Sequence, residues 1–152
     1  HIPVHRNSDK SRALGFEKLL NTLHEHSSIF LCPEGAIFMN NKLLNTFRNG
    51  AFRAAILTNT PIVAMSIIEA GERLPPDKIR VFPGKCTTYM SEPFNTQHLS
   101  LEDLDTLRDN VEKEIFQQLE KHYPHKTYPI NFNPNEYTNS VYLDTYKKDD
   151  AD

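Results

Sequence analysis

Ile29-Phe30-Leu31-Cys32-Pro33-Glu34-Gly35-Ala36-Ile37-Phe38 is the stretch on which the fold turns. Its four leading residues, Ile29 to Cys32, are apolar without alternation, which predicts a strand buried on both faces. Pro33 has no N–H for a ladder, so pairing should stop there. Gly35 permits a tight turn and a close approach by another group. Glu34 is thereby expected at the carboxyl end of a strand, the edge where ligands collect in open α/β sheets.

Working outward, the chain alternates strand-like and helix-like segments. Ile2, Pro3 and Val4 read as the end of a strand, and Ser8 or Asp9 can cap a helix that carries Leu14, Leu19, Leu20 and Leu23 to about residue 26. Beyond the central stretch, Phe47-Arg48-Asn49-Gly50-Ala51-Phe52-Arg53-Ala54-Ala55 has an Ala-rich half suited to a helix lying close on a sheet. Ile62 to Ile68, Ile79 to Phe82 and Lys85 to Met90 follow as strands, the last two joined by Pro83-Gly84. Ser100 and Asp103 form a capping-box pattern. Behind it Leu101, Leu104, Leu107, Val111, Ile115 and Leu119 recur at helical spacing to about His122. The expected class is α/β, with a mostly parallel central sheet flanked by helices. Residues 1–125 form the domain. Residues 126–152, rich in Tyr, Asn and Pro, read as an extended tail.

Bulk properties exclude several roles. A chain of 152 residues can bury one core, and 38% hydrophobic with 24% charged content is that of a globular protein. A net charge of −3 gives no broad basic field, so no nucleic-acid partner is expected. No run approaches the roughly eighteen apolar residues of a spanning helix. Cys32 and Cys86 fall in apolar or β-rich stretches and are expected as buried free thiols. The seven histidines show no metal-ligand spacing, so no metal is expected. Five glycines without a phosphate-cradling pattern argue against a Gly-rich nucleotide loop. The chain opens on His1-Ile2-Pro3-Val4, which reads like mid-strand and suggests that structure precedes it.

What is left is a set of polar residues that follow apolar segments. Arg6 follows Val4, Glu34 follows Cys32, and Arg48 opens the Ala-rich helix beside Gly50. In a parallel α/β sheet such positions converge on one edge. Two guanidinium groups there would suit a phosphate, which they bind in bidentate fashion.

In order and spacing these motifs resemble the glycerolipid acyltransferases of the lysophosphatidic-acid acyltransferase type. Ile2-Pro3-Val4-His5-Arg6 is similar to that family's strand ending in Arg, and Cys32-Pro33-Glu34-Gly35-Ala36 to its Phe-Pro-Glu-Gly-Thr-Arg-Ser block. Phe47 to Ala55 is similar to the connecting run, with Arg48 in place of Lys. Thr60-Pro61-Ile62-Val63-Ala64-Met65 is similar to its last block, with Ala64 where a second Pro is usual. The resemblance covers about residues 1 to 120 and departs in two places. Ala36-Ile37-Phe38 stands where the family has Thr-Arg-Ser, so Ile37 replaces a phosphate-contacting Arg. The catalytic His-x4-Asp block is absent. His5 and Asp9 are only four apart, inside another block, and the pair is expected upstream of His1.

The resemblance implies an acyltransferase-like fold and an O-acyltransferase in phospholipid biosynthesis. No cofactor would be bound, and acyl-CoA or acyl-carrier protein would be the co-substrate. The acceptor would be of lysophospholipid type, such as 1-acylglycerol-3-phosphate. Arg6, Glu34, Gly35 and Arg48 would bind substrate, with no catalytic residue in this chain. The resemblance further implies a membrane surface as partner, met through the upstream segment on the cytoplasmic face. The alternatives are a catalytically incomplete lipid- or phosphate-binding domain of the same fold, favoured by Ala36-Ile37-Phe38, and an unrelated α/β domain.

Overall fold

Helix α1 (Asp9–His24) begins where a short polar side chain can cap it. The Ser8 hydroxyl accepts the Ser11 N–H at 3.2 Å, and Asp9 places a negative charge in the first turn. These elements come from a computed structural model that describes residue 2 and residues 8–36, 42–74 and 81–123. Residues 3 and 4 of the strand expected at 2–4 and the tail at 126–152 lie outside the described residues, and Ile2 is in no strand. Leu19 of α1 is buried, but Leu14 is 55% exposed. Five residues separate the two, so they lie about 140° apart around the helix and cannot share one face. Phe16 is covered from the other side by the Arg53 guanidinium, 5.4 Å above its ring.

Helix α2 (Gly50–Thr58) is the Ala-rich helix, and it buries Phe52, Ala54, Ala55 and Ile56. It stops at Asn59, which takes a left-handed conformation at φ 50°. The N–H groups of Asn59 and Thr60 then return to the carbonyls of Ile56 and Ala55 at 3.3 and 2.9 Å, which satisfies the helix end. Strand β1 (Met65–Ile68) follows, then the single turn α3 (Ala70–Arg73) and strand β2 (Thr87–Met90). Ser100 and Asp103 make the expected capping box around a short 3-10 turn, Leu101–Asp103, from which α4 (Leu104–Glu120) continues. Leu107, Val111 and Ile115 of α4 are buried at every fourth position.

The sheet differs from the one expected. Among the described residues it is a two-stranded antiparallel ribbon, Met65 facing Met90 and Ile68 facing Thr87, and no parallel central sheet is present. Outside the ribbon, Ile62 and Phe94 exchange both backbone bonds at 3.0 and 2.7 Å, which extends the antiparallel pairing as an isolated bridge. Ile29 to Cys32 joins no strand, and residues 81 and 82 are not in one either. With no described neighbour to pair with, Phe30 and Leu31 are 68% and 46% exposed. For the same reason the expected burial of the cysteines fails. Both are free, but Cys32 lies on this uncovered run, Cys86 leads into the one-sided ribbon, and both are exposed.

The core lies where α2, α4 and β1 meet. Phe47, Phe52, Ile56, Ala64, Leu107 and Val111 pack together, and the rings of Phe47 and Phe52 stack 6.2 Å apart at 14°. Helix α4 also ties down β1 through polar groups. The buried Ser66 hydroxyl donates to Gln118 at 2.7 Å, and the Tyr123 hydroxyl accepts the Glu69 N–H at 2.7 Å. Phe52 is 1% exposed in the cluster that joins α2 to α4, so Phe52→Ala should cost about 3–5 kcal/mol in denaturant-induced unfolding.

Candidate functional site

The site is built on the turn that ends the central stretch. The Gly35 N–H donates to the Cys32 carbonyl at 3.1 Å, closing a β-turn with Pro33 second and Gly35 fourth, positions those residues favour. Gly35 has φ 75°, a conformation that disfavours any side chain. It is needed for a second reason: a Cβ on it would sit 2.7 Å from the Arg48 Nε. The bare backbone of the turn is therefore a seat for the Arg48 side chain. The Arg48 backbone N–H donates to the Pro33 carbonyl at 2.9 Å, which fixes the two residues together at the main chain.

Glu34 points the other way, into the protein. Its Oε2 accepts both the backbone N–H and the side-chain amide of Asn45, each at 2.9 Å. Burial pushes the Glu34 pKa above the ordinary glutamate value, and the nearby Glu112 carboxylate adds to the rise. The two bonds from Asn45 oppose the shift without cancelling it. Glu112 is itself buried on α4 and accepts the Phe47 N–H at 3.4 Å. The stretch from Asn45 to Arg48 is thus held by the turn on one side and by α4 on the other.

Beside this clamp an apolar hollow of about 460 Å³ opens between the Ile29–Cys32 run, α1, α2 and β1. Leu19, Phe30, Leu31, Ala55, Met65 and Ile67 contribute to its wall, and Glu34 is the one charged residue lining it among the described residues. The arrangement offers a guanidinium able to hold an anion, a carboxylate engaged with the protein's own amides, and an apolar cavity next to both. No group of three or more His, Cys, Asp or Glu side chains able to hold a metal occurs among the described residues.

The structure therefore brings Glu34, Gly35 and Arg48 into one cluster. Arg6 lies outside the described residues, as does Ile37. Asn45 and Glu112 belong to the same cluster and were not singled out by motif or spacing. Asn45 follows two leucines in a polar loop, and Glu112 sits at the flank of an amphipathic helix, where a charged residue carries no signal.

Residues 1–68 match the family model described as Acyltransferase. The fold is similar to that of a solved enzyme, the 1-acyl-sn-glycerophosphate (LPA) acyltransferase PlsC from Thermotoga maritima, with a TM-score of 0.64 and 21% sequence identity. The matched region covers 74% of this chain and 46% of that one, so the chain spans about half the length of the enzyme it is similar to. A comparison with curated protein sequences finds no match. The matched segment is thus similar to the acyltransferase family model, and the fold is PlsC-like.

The position of Glu34 sets a pH dependence. Its raised native pKa means that the folded protein holds a proton the unfolded chain has already released. The stability this proton contributes is whole below the ordinary glutamate value and is lost as pH rises through the native pKa. Glu34→Gln keeps an acceptor oxygen for Asn45 and cannot ionise. The stability advantage of the wild type over Glu34→Gln should therefore shrink as pH rises from the ordinary glutamate value through the higher native one in thermal melts. A difference that stays constant with pH would contradict this reading.

Proposed function

We propose that the chain is part of an O-acyltransferase of phospholipid biosynthesis. The reading has a fatty acyl group pass from acyl-CoA or acyl-carrier protein to a lysophospholipid-type acceptor such as 1-acylglycerol-3-phosphate. The observation that carries it is the seating of Arg48 on the Pro33-Glu34-Gly35 turn, two residues of which, Pro33 and Glu34, line an apolar hollow, in a chain whose residues 1–68 match the Acyltransferase family model. A phosphate-bearing acceptor with a hydrocarbon tail has the two chemistries such a place can meet: an anion for a guanidinium and a chain for an apolar wall.

In the intact protein a His supported by an Asp, expected upstream of His1, takes the proton of the acceptor hydroxyl as its oxygen attacks the thioester carbonyl. The C–S bond breaks, and the proton passes to the departing thiolate. Arg48, with Arg6, orients the anionic end of the acceptor, which is a contribution of proximity rather than of bond-making. Glu34 locks the turn through Asn45. Gly35 leaves room for the Arg48 stem. The reading puts the intact enzyme at the cytoplasmic face of a membrane, met through the upstream segment. None of the described helices is long and apolar enough to cross one.

A second reading, a lipid- or phosphate-binding domain of the same fold without catalysis, is favoured by Ala36-Ile37-Phe38 in place of Thr-Arg-Ser. Steady-state kinetics on the intact protein separate the two, since the binder shows no turnover at all. For the enzyme, Arg48→Ala and Arg6→Ala should each lower kcat/KM for a phosphate-bearing acceptor tenfold or more, a loss of about 1.5–3 kcal/mol of charge-assisted binding. Unchanged kinetics would remove the substituted residue from the site. Residues 1–152 alone should transfer no acyl group.

A further inference from the structure

We propose that Glu112 of α4 is a positioning residue for Arg48, and so for the anionic end of the acceptor. The proposal rests on the role given to Arg48 above. It begins from the backbone of residues 45 to 49, which has no regular structure to satisfy its polar groups. The Asn45 N–H goes to Glu34 and the Arg48 N–H to the Pro33 carbonyl, at 2.9 Å in both cases. The Phe47 N–H goes to the Glu112 Oε2 at 3.4 Å. One helical turn earlier on α4, Arg108 donates to the Asn49 Oδ1 at 2.9 Å. Helix α4 thus grips the segment on both sides of Arg48.

Glu112 is 7% exposed and lies beside the core residues Val111 and Ile115. A carboxylate in such a place costs several kcal/mol of lost hydration unless it meets donors, and an apolar side chain would fill the space at less cost. Packing alone does not account for it. What it supplies is an acceptor for the N–H of the Thr46–Phe47 peptide, one residue ahead of Arg48. The Phe47 ring is buried against Phe52 on one side, and the Arg48 N–H is tied to the turn on the other. With the Phe47 N–H also held, the backbone leading into Arg48 is fixed beneath a side chain that lies over Gly35. Ordering before binding lowers the entropy cost of capturing an anion.

The groups facing Glu112 include Glu34 from the turn and Arg108 one turn away on α4. Neither replaces it, since the Glu34 Oε2 is engaged with Asn45 and Arg108 is a donor.

The test uses the full-length protein with two acceptors, one carrying a phosphate and one a neutral monoacylglycerol. Glu112→Leu removes the acceptor group. Glu112→Asp keeps charge and burial but falls a methylene short of the Phe47 N–H, and serves if the leucine variant does not fold. Either should raise KM for the phosphate-bearing acceptor about five- to twentyfold with kcat within about twofold, and leave KM for the neutral acceptor unchanged. Glu112→Gln, which retains an acceptor oxygen, should restore wild-type KM. In an Arg48→Ala background the Glu112 substitutions should add nothing. An equal loss for both acceptors, or an undiminished loss in that background, would show a role in stability only and overturn the proposal. If Arg48→Ala weakens acceptor binding and the Glu112 variants do not, this proposal falls and the reading of the site stands. If Arg48→Ala itself changes nothing, the reading of the site falls and takes the proposal with it.

Discussion

A half-buried carboxylate holding two N–H groups from one residue is the interaction on which the rest of this structure depends. Glu34 and Asn45 are eleven residues apart, and their two bonds draw the Pro-Glu-Gly turn against the segment that leads into α2. Without that closure the Arg48 N–H would not reach the Pro33 carbonyl, and the Arg48 stem would have no bare backbone to lie on. The same closure sets Phe47 over Phe52, which joins the site to the core without an intervening layer. The cost is a carboxylate held in a place that disfavours its charge, tolerated because Asn45 returns hydrogen bonds that water would otherwise supply.

The clamp also assigns labour within the cluster. A carboxylate facing inward toward amides is a poor candidate to meet a ligand from solvent, whereas the exposed guanidinium on the other side of the turn is well placed for one. The motif joins an inward-facing acid to an exposed guanidinium across a glycine. The apolar hollow beside it follows from the uncovered Ile29–Cys32 run and the outward side of β1, where Ile67 is 44% exposed.

Local chemistry was readable in the sequence wherever neighbouring residues decide the outcome. The Ser8 cap, the Ser100–Asp103 capping box and the spacing of Leu107, Val111 and Ile115 all appear in the structure as their side chains dictate. The cluster of Glu34, Gly35 and Arg48 was legible because a turn and a helix start flank it. The sheet was not. Four apolar residues at Ile29 to Cys32 suggest two covered faces, but coverage depends on segments distant in sequence, and here Phe30 and Leu31 stay exposed. Strand direction also depends on distant segments, and β1 and β2 pair antiparallel where alternation with helices suggested parallel neighbours. Asn45 and Glu112 escaped for a related reason: each acts on a partner eleven or sixty-five residues away.

The clamp can be measured directly by a double-mutant cycle on unfolding free energy, using Glu34→Ala, Asn45→Ala and the double variant. Two charge-assisted bonds in a half-buried site predict a coupling of about 1–3 kcal/mol between the two residues. Additive single effects, with coupling near zero, would show that the turn and the α2 approach are held together by something else.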